Sequence, residues 1–308
     1  VTIAKGSTGN KEYTAHWTPT VYTITYNLDG GTNGAGNPSS YSVESPAITL
    51  TAPTKTEYVF TGWTGSNGDT PELEVTIVKG STGNKEYTAN WTAANYSATP
   101  KNGTTANFKT LADAYNYITV TKSASEGTIT AIKATGDIED TSSLSIANGK
   151  TITIDTNGKT IKLMTANNLN GIINEGKLSI IGNGTIKTKD ATASNGIMYL
   201  IRNVGTGSGT SGVLEINNAT IENEGVTSEN CYALFGVSGK ITINSGSKIK
   251  SASTTYGGYA IGVKGATLDV KGGTISSGKG SAIYANTSSD ASISNGAINI
   301  TGGTITST

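Results

Sequence analysis

The sequence predicts a mostly β protein, with short tandem modules in its first third and a parallel β-helix in the remainder. Three observations lead to this prediction. The 308 residues include 40 glycines, and only 14% are charged, which is typical of strands joined by tight turns. Residues 1–17 and 75–91 are identical at 15 of 17 positions. One short apolar phrase returns six times between residues 152 and 305.

The near-identity at an offset of 74 residues predicts tandem repeats. Residues 1–18 are then the C-terminal hairpin of one repeat, and residues 19–92 are the next repeat in full. Half a repeat cannot hold its own core, so we expect this hairpin to pack on the following module or on a neighbouring chain. Strands are expected at 22–28, near 48–50 and at 58–63. The expected core of the complete repeat is mainly aromatic: Tyr26, Leu28, Tyr58, Phe60, Trp63, Tyr87 and Trp91.

Four motifs in residues 1–92 carry a family resemblance. In order they are Tyr22-x-Ile24-x-Tyr26-x-Leu28-x-Gly30-Gly31, Leu50-x-x-Pro53, Tyr58-x-Phe60-x-Gly62-Trp63 and Tyr87-x-Ala89-x-Trp91. They resemble the Listeria-Bacteroides repeat, the family that includes the B-repeat of internalins. The resemblance implies a small β-grasp, ubiquitin-like module that serves in series as a spacer in surface proteins of bacteria. It implies no catalytic residues.

The next segments predict a junction and one helix. Residues 93–107 are polar and contain Pro100 and Gly103, which favours a linker. In residues 108–118 the apolar side chains follow the spacing of one face of a helix: Phe108, Leu111, Ala112, Tyr115 and Ile118. We expect this helix to cap the open end of a stacked-strand core, protecting it from water and from edge pairing.

The recurring phrase predicts the coils of the β-helix. Its leading residues are 26, 36, 27, 27 and 30 positions apart, and each period holds three strand-like pieces. Equivalent residues should stack ~4.8 Å apart, with one inner row formed by Leu178, Leu214, Ile241, Leu268 and Ile298. The capping helix and coils resemble the right-handed β-helix domains of the pectate-lyase-like superfamily found in bacterial adhesins. We expect a β-helix over 108–308 that is C-terminally incomplete.

Charge and cysteine content exclude several classes of function. The net charge is zero, so neither nucleic acid nor an anionic membrane is an expected partner. Cys231 is the single cysteine, which excludes an intramolecular disulfide and cannot by itself form a zinc site. No stretch approaches the ~20 apolar residues of a membrane span. We therefore expect no membrane insertion, no metal and no cofactor.

Catalytic residue types are few in the predicted β-helix. It has one arginine, Arg202, and no histidine, while Asp137, Glu139 and Asp140 form its densest acidic group. Solvated loop charges explain that group more simply than a cation site does. Glu222 and Glu224 should share a strand face, but as surface carboxylates. A non-catalytic domain is expected; the alternative is a polysaccharide lyase or hydrolase, or a carbohydrate-binding β-helix.

Tyrosines are the candidate ligand-facing residues. Tyr232 and Tyr259 are 27 positions apart and should stack, with Tyr199 and Tyr284 near the same column. Such a row either holds sugars or partner chains or stabilises the stack, and Tyr232, Tyr259 and Tyr284 are taken as the ligand-facing set. The insertions at 196–213 and 284–297 are the other expected contact regions.

Together these features predict a fragment of an adhesin-like protein at the bacterial cell surface or secreted from it. Spacer repeats would be followed by a β-helix with a ligand-presenting or structural role. Its partners would be a host or microbial surface glycan or protein, together with neighbouring repeats of the same long chain.

Overall fold

The computed structural model describes residues 1–100, 104–121, 130–163, 170–188, 198–205, 211–224, 231–253, 257–285 and 296–308. These residues form two compact units. One consists of Val1–Lys55 and Phe60–Thr92, and the other of Thr56–Val59 and Ala93–Thr308. Each unit has a hydrophobic core of its own.

The repeat module contains seven short strands. They are β1 (Val21–Asn27), β2 (Ser40–Ser42), β3 (Ile48–Thr49), β4 (Tyr58–Gly65), β5 (Gly68–Glu72), β6 (Thr76–Ile77) and β7 (Lys85–Ala93). Five of them form one sheet in the order β2-β1-β7-β4-β5, while β3 pairs with β6. The first and last strands, β1 and β7, are parallel and lie side by side. This mixed sheet is β-grasp-like, although residues 19–92, all of which are described, contain no helix.

Alternation places the apolar side chains of these strands in the core. Tyr87 and Ala89 on β7 are 3% and 4% exposed, and Trp63 on β4 is fully buried. The predicted aromatic core is largely confirmed, since only Tyr58, at 39% exposed, lies outside it. Buried residues that were not predicted are Ile24, Tyr41, Leu50, Val75, Ile77 and Ala89.

The hairpin expected at 1–18 does not form in this structure, and these residues do not pack on the following module; that they pack on a neighbouring chain stays a prediction. These residues contain no strand, and every one of them is exposed. The physical reason is visible in the second copy, where β7 takes its place between β1 and β4 of the same module. Residues 1–18 have no such pair of strands beside them, and an isolated hairpin is marginal in water.

The second unit is built from 22 strands in the described residues. They are β8 (Tyr96–Thr99), β9 (Ala106–Phe108), β10 (Thr130–Ala134), β11 (Ile138–Asp140), β12 (Leu144–Ile146), β13 (Thr151–Asp155), β14 (Thr160–Leu163), β15 (Asn170–Asn174), β16 (Lys177–Ile181), β17 (Thr185–Thr188), β18 (Met198–Asn203), β19 (Val213–Ile216), β20 (Thr220–Asn223), β21 (Cys231–Gly236), β22 (Lys240–Ile243), β23 (Lys248–Ser251), β24 (Gly258–Val263), β25 (Thr267–Val270), β26 (Thr274–Ser277), β27 (Ile283–Ala285), β28 (Ile298–Ile300) and β29 (Thr304–Ser307).

Every third strand from β10 onward belongs to the same sheet, which is the pattern of a parallel β-helix with three strands per coil. Sheet 1 runs from β10 to β28, sheet 2 from β11 to β29 and sheet 3 from β12 to β27. Coil neighbours pair in parallel throughout the described residues. The predicted row is confirmed in its register, because Leu178, Leu214, Ile241, Leu268 and Ile298 are successive partners. The first four are buried, whereas Ile298 in the last described coil is 37% exposed, so it was wrongly predicted as an inner residue.

One α-helix, α1 (Leu111–Asn116), lies against the first coil and is followed by a π-helical turn at Tyr117–Thr121. Leu111, Ala114 and Ile118 are fully buried in the β-helix core. The helix begins three residues later than predicted because Phe108 belongs to β9, where it pairs with Tyr96. That the helix protects the core from edge pairing stays a prediction.

The structure differs from the predicted junction at 93–107. Strands β8 and β9 lie in this segment and extend sheet 1, since β8 pairs antiparallel with β10 and with β9. Tyr96 and Ala98 are fully buried, so this run belongs to the β-helix core. These strands were not predicted because they are short and polar residues occupy their alternate positions, so the segment has the composition of a linker.

Candidate functional site: the tyrosine ladder

Four tyrosines on sheet 3 form one stack, which we call the tyrosine ladder: Tyr199, Tyr232, Tyr259 and Tyr284. Their ring centroids are 5.4, 4.8 and 4.7 Å apart in that order, and the planes of successive rings are inclined by 27°, 24° and 28°. The predicted stacking of Tyr232 on Tyr259 is confirmed, and the stack extends by one ring at each end. Aromatic side chains one coil apart thus form a continuous column outside the aliphatic core.

Register explains the first three rings, whereas the fourth ring joins the stack from a different register position, and a glycine leaves room for the Tyr232 ring. Tyr199, Tyr232 and Tyr259 are direct partners across β18, β21 and β24. Tyr284 instead pairs with Gly262, although its ring stacks on Tyr259. A Cβ atom at Gly262 would lie 2.5 Å from Cε1 of Tyr232, so only glycine leaves room for the ring beside it.

Replacing Gly262 with alanine is expected to disturb the ladder. The new Cβ would also meet Cδ2 of Phe235 at 2.6 Å, and both rings are held by their neighbours. Overpacking of this kind costs about 1–3 kcal/mol. The measurement is the urea unfolding midpoint together with near-ultraviolet circular dichroism of the tyrosines. Gly136→Ala is the control, because a Cβ there meets nothing within 4 Å; equal effects of the two substitutions would contradict the expectation.

The ladder leaves little ring surface for a ligand. Tyr232 is 6% exposed, with Tyr199 on one face and Tyr259 on the other. Tyr259 is likewise covered on both faces, by Tyr232 and Tyr284. Among the described residues, no ring other than Tyr259 contacts Tyr284. The predicted ligand contacts of Tyr232, Tyr259 and Tyr284 stay a prediction. Of the three, the geometry favours Tyr284, because stacking on a sugar or a side chain requires an uncovered ring face.

Two residues beside the ladder escaped prediction. The ring of Phe235 lies 4.6 Å from Tyr199 and 4.9 Å from Tyr232. The Cζ atom of Arg202 is 5.9 Å from the Tyr199 ring, a cation–π contact. Phe235 lies three positions after Tyr232, and alternation along a flat strand would place them on opposite faces. The column spacing of 33 between Arg202 and Phe235 was the available signal.

Burial favours the neutral form of two ladder hydroxyls, those of Tyr199 and Tyr232. It raises the pKa of Tyr232, to which the neighbouring Tyr259 and Tyr199 add, and it raises the pKa of Tyr199 despite the opposing charge of Arg202. The folded state therefore retains protons that the unfolded chain loses near pH 10, the ordinary pKa of tyrosine.

The stability of the β-helix should consequently fall with rising pH in alkali. The contribution of Tyr232 is fully present below about pH 10 and is lost as the pH rises through its raised pKa. Unfolding free energy measured by denaturant titration at pH 9 and at pH 11 checks this. The Tyr232→Phe variant lacks the ionisable hydroxyl, and we expect a smaller decrease; an identical pH dependence in the variant would refute the assignment.

The acidic residues of the first coil have separate partners in the structure. The backbone N–H of Leu111 donates to Oδ2 of Asp140 at 2.7 Å, and Ser142 donates to Oδ1 through its backbone and its hydroxyl. Asp137 accepts from the backbone N–H of Thr160, and Glu139 lies 3.4 Å from Nζ of Lys162. These acidic residues therefore connect the first coil to the next coil and to α1.

Three further carboxylates lie in ion pairs between coils. Glu222 and Glu224, for which the sequence identified no partner, contact Lys250 at 3.0 Å and Lys187 at 2.7 Å. On sheet 1, Asp269 pairs with Lys240 at 2.7 Å, and this hydrogen bond is the main cause that lowers the pKa of Asp269. The 28-residue spacing of Glu222 and Lys250 was the missed signal, because it equals about one coil.

The structure also gives the positions of the remaining candidate residues that lie in the described part of the chain. Cys231 is fully buried, and His16 is exposed. No three His, Cys, Asp or Glu side chains come together there as metal ligands. No helix among the described residues is long and apolar enough to cross a membrane. Residues 206–210 and 286–295, at the centre of the predicted contact insertions, lie outside the described residues.

Comparison with known proteins gives one match. Residues 22–89 match the Listeria-Bacteroides repeat domain. No curated protein and no solved structure matches the chain. The matched residues contain the motifs from Tyr22 to Ala89 on which the resemblance was based, and this repeat is typical of extracellular proteins of the bacterial surface.

Proposed function

We propose that this chain is part of a non-catalytic, adhesin-like protein of the bacterial cell surface. The Listeria-Bacteroides repeat at residues 22–89 carries the proposal, since this module is typical of such proteins. The β-helix that follows resembles those of bacterial adhesins in its three-strand coils. The repeats act as spacers, and the β-helix presents a surface to a host or microbial partner.

The tyrosine ladder supports a specific contact within this proposal. Its terminal ring, Tyr284, has one face stacked on Tyr259 and is half-buried. A glycan or a protein side chain packed on the other face would extend the column by one further ring or sugar. Such a contact contributes about 0.5–1.5 kcal/mol beyond the buried area, so its loss weakens binding by up to about tenfold.

Binding of the whole chain to arrays of glycans and of surface proteins tests the proposal. We expect reproducible binding that Tyr284→Ala weakens by up to about tenfold, whereas Tyr199→Ala, which shortens the ladder at its other end, leaves it unchanged. An absence of any binding partner on either array would contradict the proposal.

The carbohydrate-active alternative has one supporting feature, the parallel β-helix itself. This alternative is tested by measuring whether the chain releases reducing ends or unsaturated products from polysaccharides. Such activity, if lost on substitution of a β-helix carboxylate, would overturn the non-catalytic proposal. The proposal expects no product, because the first-coil carboxylates are engaged by Leu111, Ser142, Thr160 and Lys162.

A further inference from the structure

Arg202 is the single arginine of the sequence, and it lies on sheet 3 three residues after the ladder residue Tyr199. Its Cζ atom is 5.9 Å from the centre of the Tyr199 ring, so the guanidinium contacts an aromatic side chain. Among the described residues five lysines form ion pairs with carboxylates, whereas Arg202 forms none. Its positive charge is therefore not compensated in this part of the chain.

Two enclosed polar atoms near this ring have no hydrogen bond. They are Nε of Arg202 and Oδ1 of Asn170, and no residue that the structure describes contacts either atom as a hydrogen-bond partner. Asn170 is the register partner of Tyr199 on the preceding coil, so both atoms belong to side chains beside that residue. An enclosed polar group without a hydrogen bond is unfavourable, most of all when it is charged. A donor and an acceptor are thus available here to a ligand.

Apolar side chains lie on both sides of Arg202. Ile173 and Phe235 are its register partners on the preceding and following coils, and all three residues are half-buried. This row, which we call the Arg202 row, presents one positive charge between two apolar side chains. Arginine and aromatic residues are enriched among the residues that dominate binding energy at protein–protein interfaces.

The composition of the Arg202 row favours an acidic peptide segment over an acidic glycan. A sugar ring presents several hydroxyl groups, and the row offers one side chain that forms hydrogen bonds. An extended peptide places every second side chain on the same face, so an acidic residue can have an apolar residue on either side of it. Its backbone N–H groups are donors that suit Oδ1 of Asn170. A guanidinium binds a carboxylate through two parallel hydrogen bonds, a geometry that lysine lacks.

We propose that the Arg202 row binds an acidic segment of a protein partner, whose aspartate or glutamate carboxylate pairs with the guanidinium of Arg202. The apolar residues on either side of that acid pack on Ile173 and Phe235, and Asn170 accepts a backbone N–H of the segment. This contact is separate from the uncovered face of Tyr284 at the other end of the ladder, and it does not depend on that contact.

The Nε–Hε resonance of Arg202 provides a direct test, because a chain with one arginine has one such signal. The probes are acetylated pentapeptides with glutamate or aspartate in the middle, phenylalanine at both ends and threonine between them. Titration into the whole chain with either acidic peptide should shift this resonance saturably, and the matched glutamine peptide should not. The proposal is overturned if neither acidic peptide shifts the signal or if the glutamine peptide shifts it equally.

Methyl glucuronide supplies the same carboxylate on a sugar, and it distinguishes the two kinds of partner. We expect it to shift the Arg202 resonance only at higher concentrations than the acidic peptides do, because it has no apolar side chains to pack on Ile173 and Phe235. Tighter binding of the glucuronide than of both acidic peptides would overturn the choice of a protein partner.

Substitutions separate recognition by Arg202 from general charge attraction. Arg202→Gln should weaken peptide binding at least about tenfold, measured by saturation transfer to the peptide protons, and Arg202→Lys should restore only part of this loss. Lys177→Gln removes the same charge from an exposed position on sheet 1, and Tyr284→Ala removes the far end of the ladder; both should leave binding unchanged. Full restoration by lysine, or equal weakening by Lys177→Gln, would overturn the proposal.

The urea unfolding midpoint distinguishes this role from a structural one. The midpoint of Arg202→Gln should lie close to that of the unmodified chain, because the guanidinium has no ion pair to lose among the described residues. A much lower midpoint together with unchanged peptide binding by Arg202→Lys would make Arg202 a structural residue and overturn the proposal.

Discussion

Replacing Trp63 with alanine is expected to unfold the repeat module while the β-helix stays folded. Trp63 is fully buried, with the rings of Tyr26 and Phe60 at 5.7 and 5.2 Å and that of Tyr87 at 6.3 Å. Removing such a side chain costs about 3–5 kcal/mol. A module of about 70 residues has roughly 4–10 kcal/mol of stability, so most of it would be lost.

Tryptophan fluorescence isolates this module, because Trp17, Trp63 and Trp91 all lie in residues 1–92. In the variant, Trp91 should report a transition at much lower urea concentration, while far-ultraviolet circular dichroism retains the β-helix transition. Trp63→Phe should restore much of the loss, since Nε1 of Trp63 has no hydrogen-bond partner among the described residues. Val78→Ala is the control and should change stability by less than about 0.5 kcal/mol. An unchanged Trp91 transition in Trp63→Ala would contradict the assignment of the core.

The module core was predicted well because aromatic residues at every second position of a strand lie on the same face of the sheet, and that face is stable only when it is buried. The prediction failed for Tyr58, whose side chain is exposed although its strand is correct. It also failed for Tyr41, which follows a polar loop and whose hydroxyl donates to the carbonyl oxygen of Gly83 at 2.6 Å. That contact spans 42 residues, and no local pattern indicates it.

The β-helix was predictable for a different reason. Stacking forces equivalent residues into register, so a count of recurring isoleucines and leucines was enough to place the inner row. Strands β8 and β9 were missed because they pair antiparallel and occur only once. A repeat pattern predicts the features that all coils share, and it does not predict features that occur only once.

The candidate site shows the same limit. The 27-residue spacing predicted that Tyr232 and Tyr259 would stack, and the structure has them 4.8 Å apart. It could not reveal that stacking covers both faces of each ring, since burial depends on the neighbours above and below. Tyr284 shares no register position with them, since it pairs with Gly262, although its ring stacks on Tyr259 at 4.7 Å.

Replacing Asn203 with alanine is expected to have the largest effect among polar positions of the β-helix. Asn203 is fully buried, and its Oδ1 accepts from Nδ2 of Asn174 at 2.8 Å. Its Nδ2 donates to the carbonyl oxygens of Gly212 and Ser238. The amide thus connects three coils at a corner where sheet 3 ends and the chain turns toward sheet 1.

Alanine removes all of these contacts and leaves buried polar atoms without partners. Each buried donor or acceptor left without a hydrogen bond costs about 1–3 kcal/mol, so a total of about 2–4 kcal/mol is expected. The cost should appear as a lower urea midpoint of the β-helix transition by circular dichroism, with the fluorescence transition of the repeat module unchanged. Asn299→Ala is the matched control, because Asn299 is exposed and donates to Asp269 at 2.8 Å. If both asparagine substitutions lowered the urea midpoint equally little, the hydrogen bonds of the Asn203 amide would not stabilise the stacking of the coils.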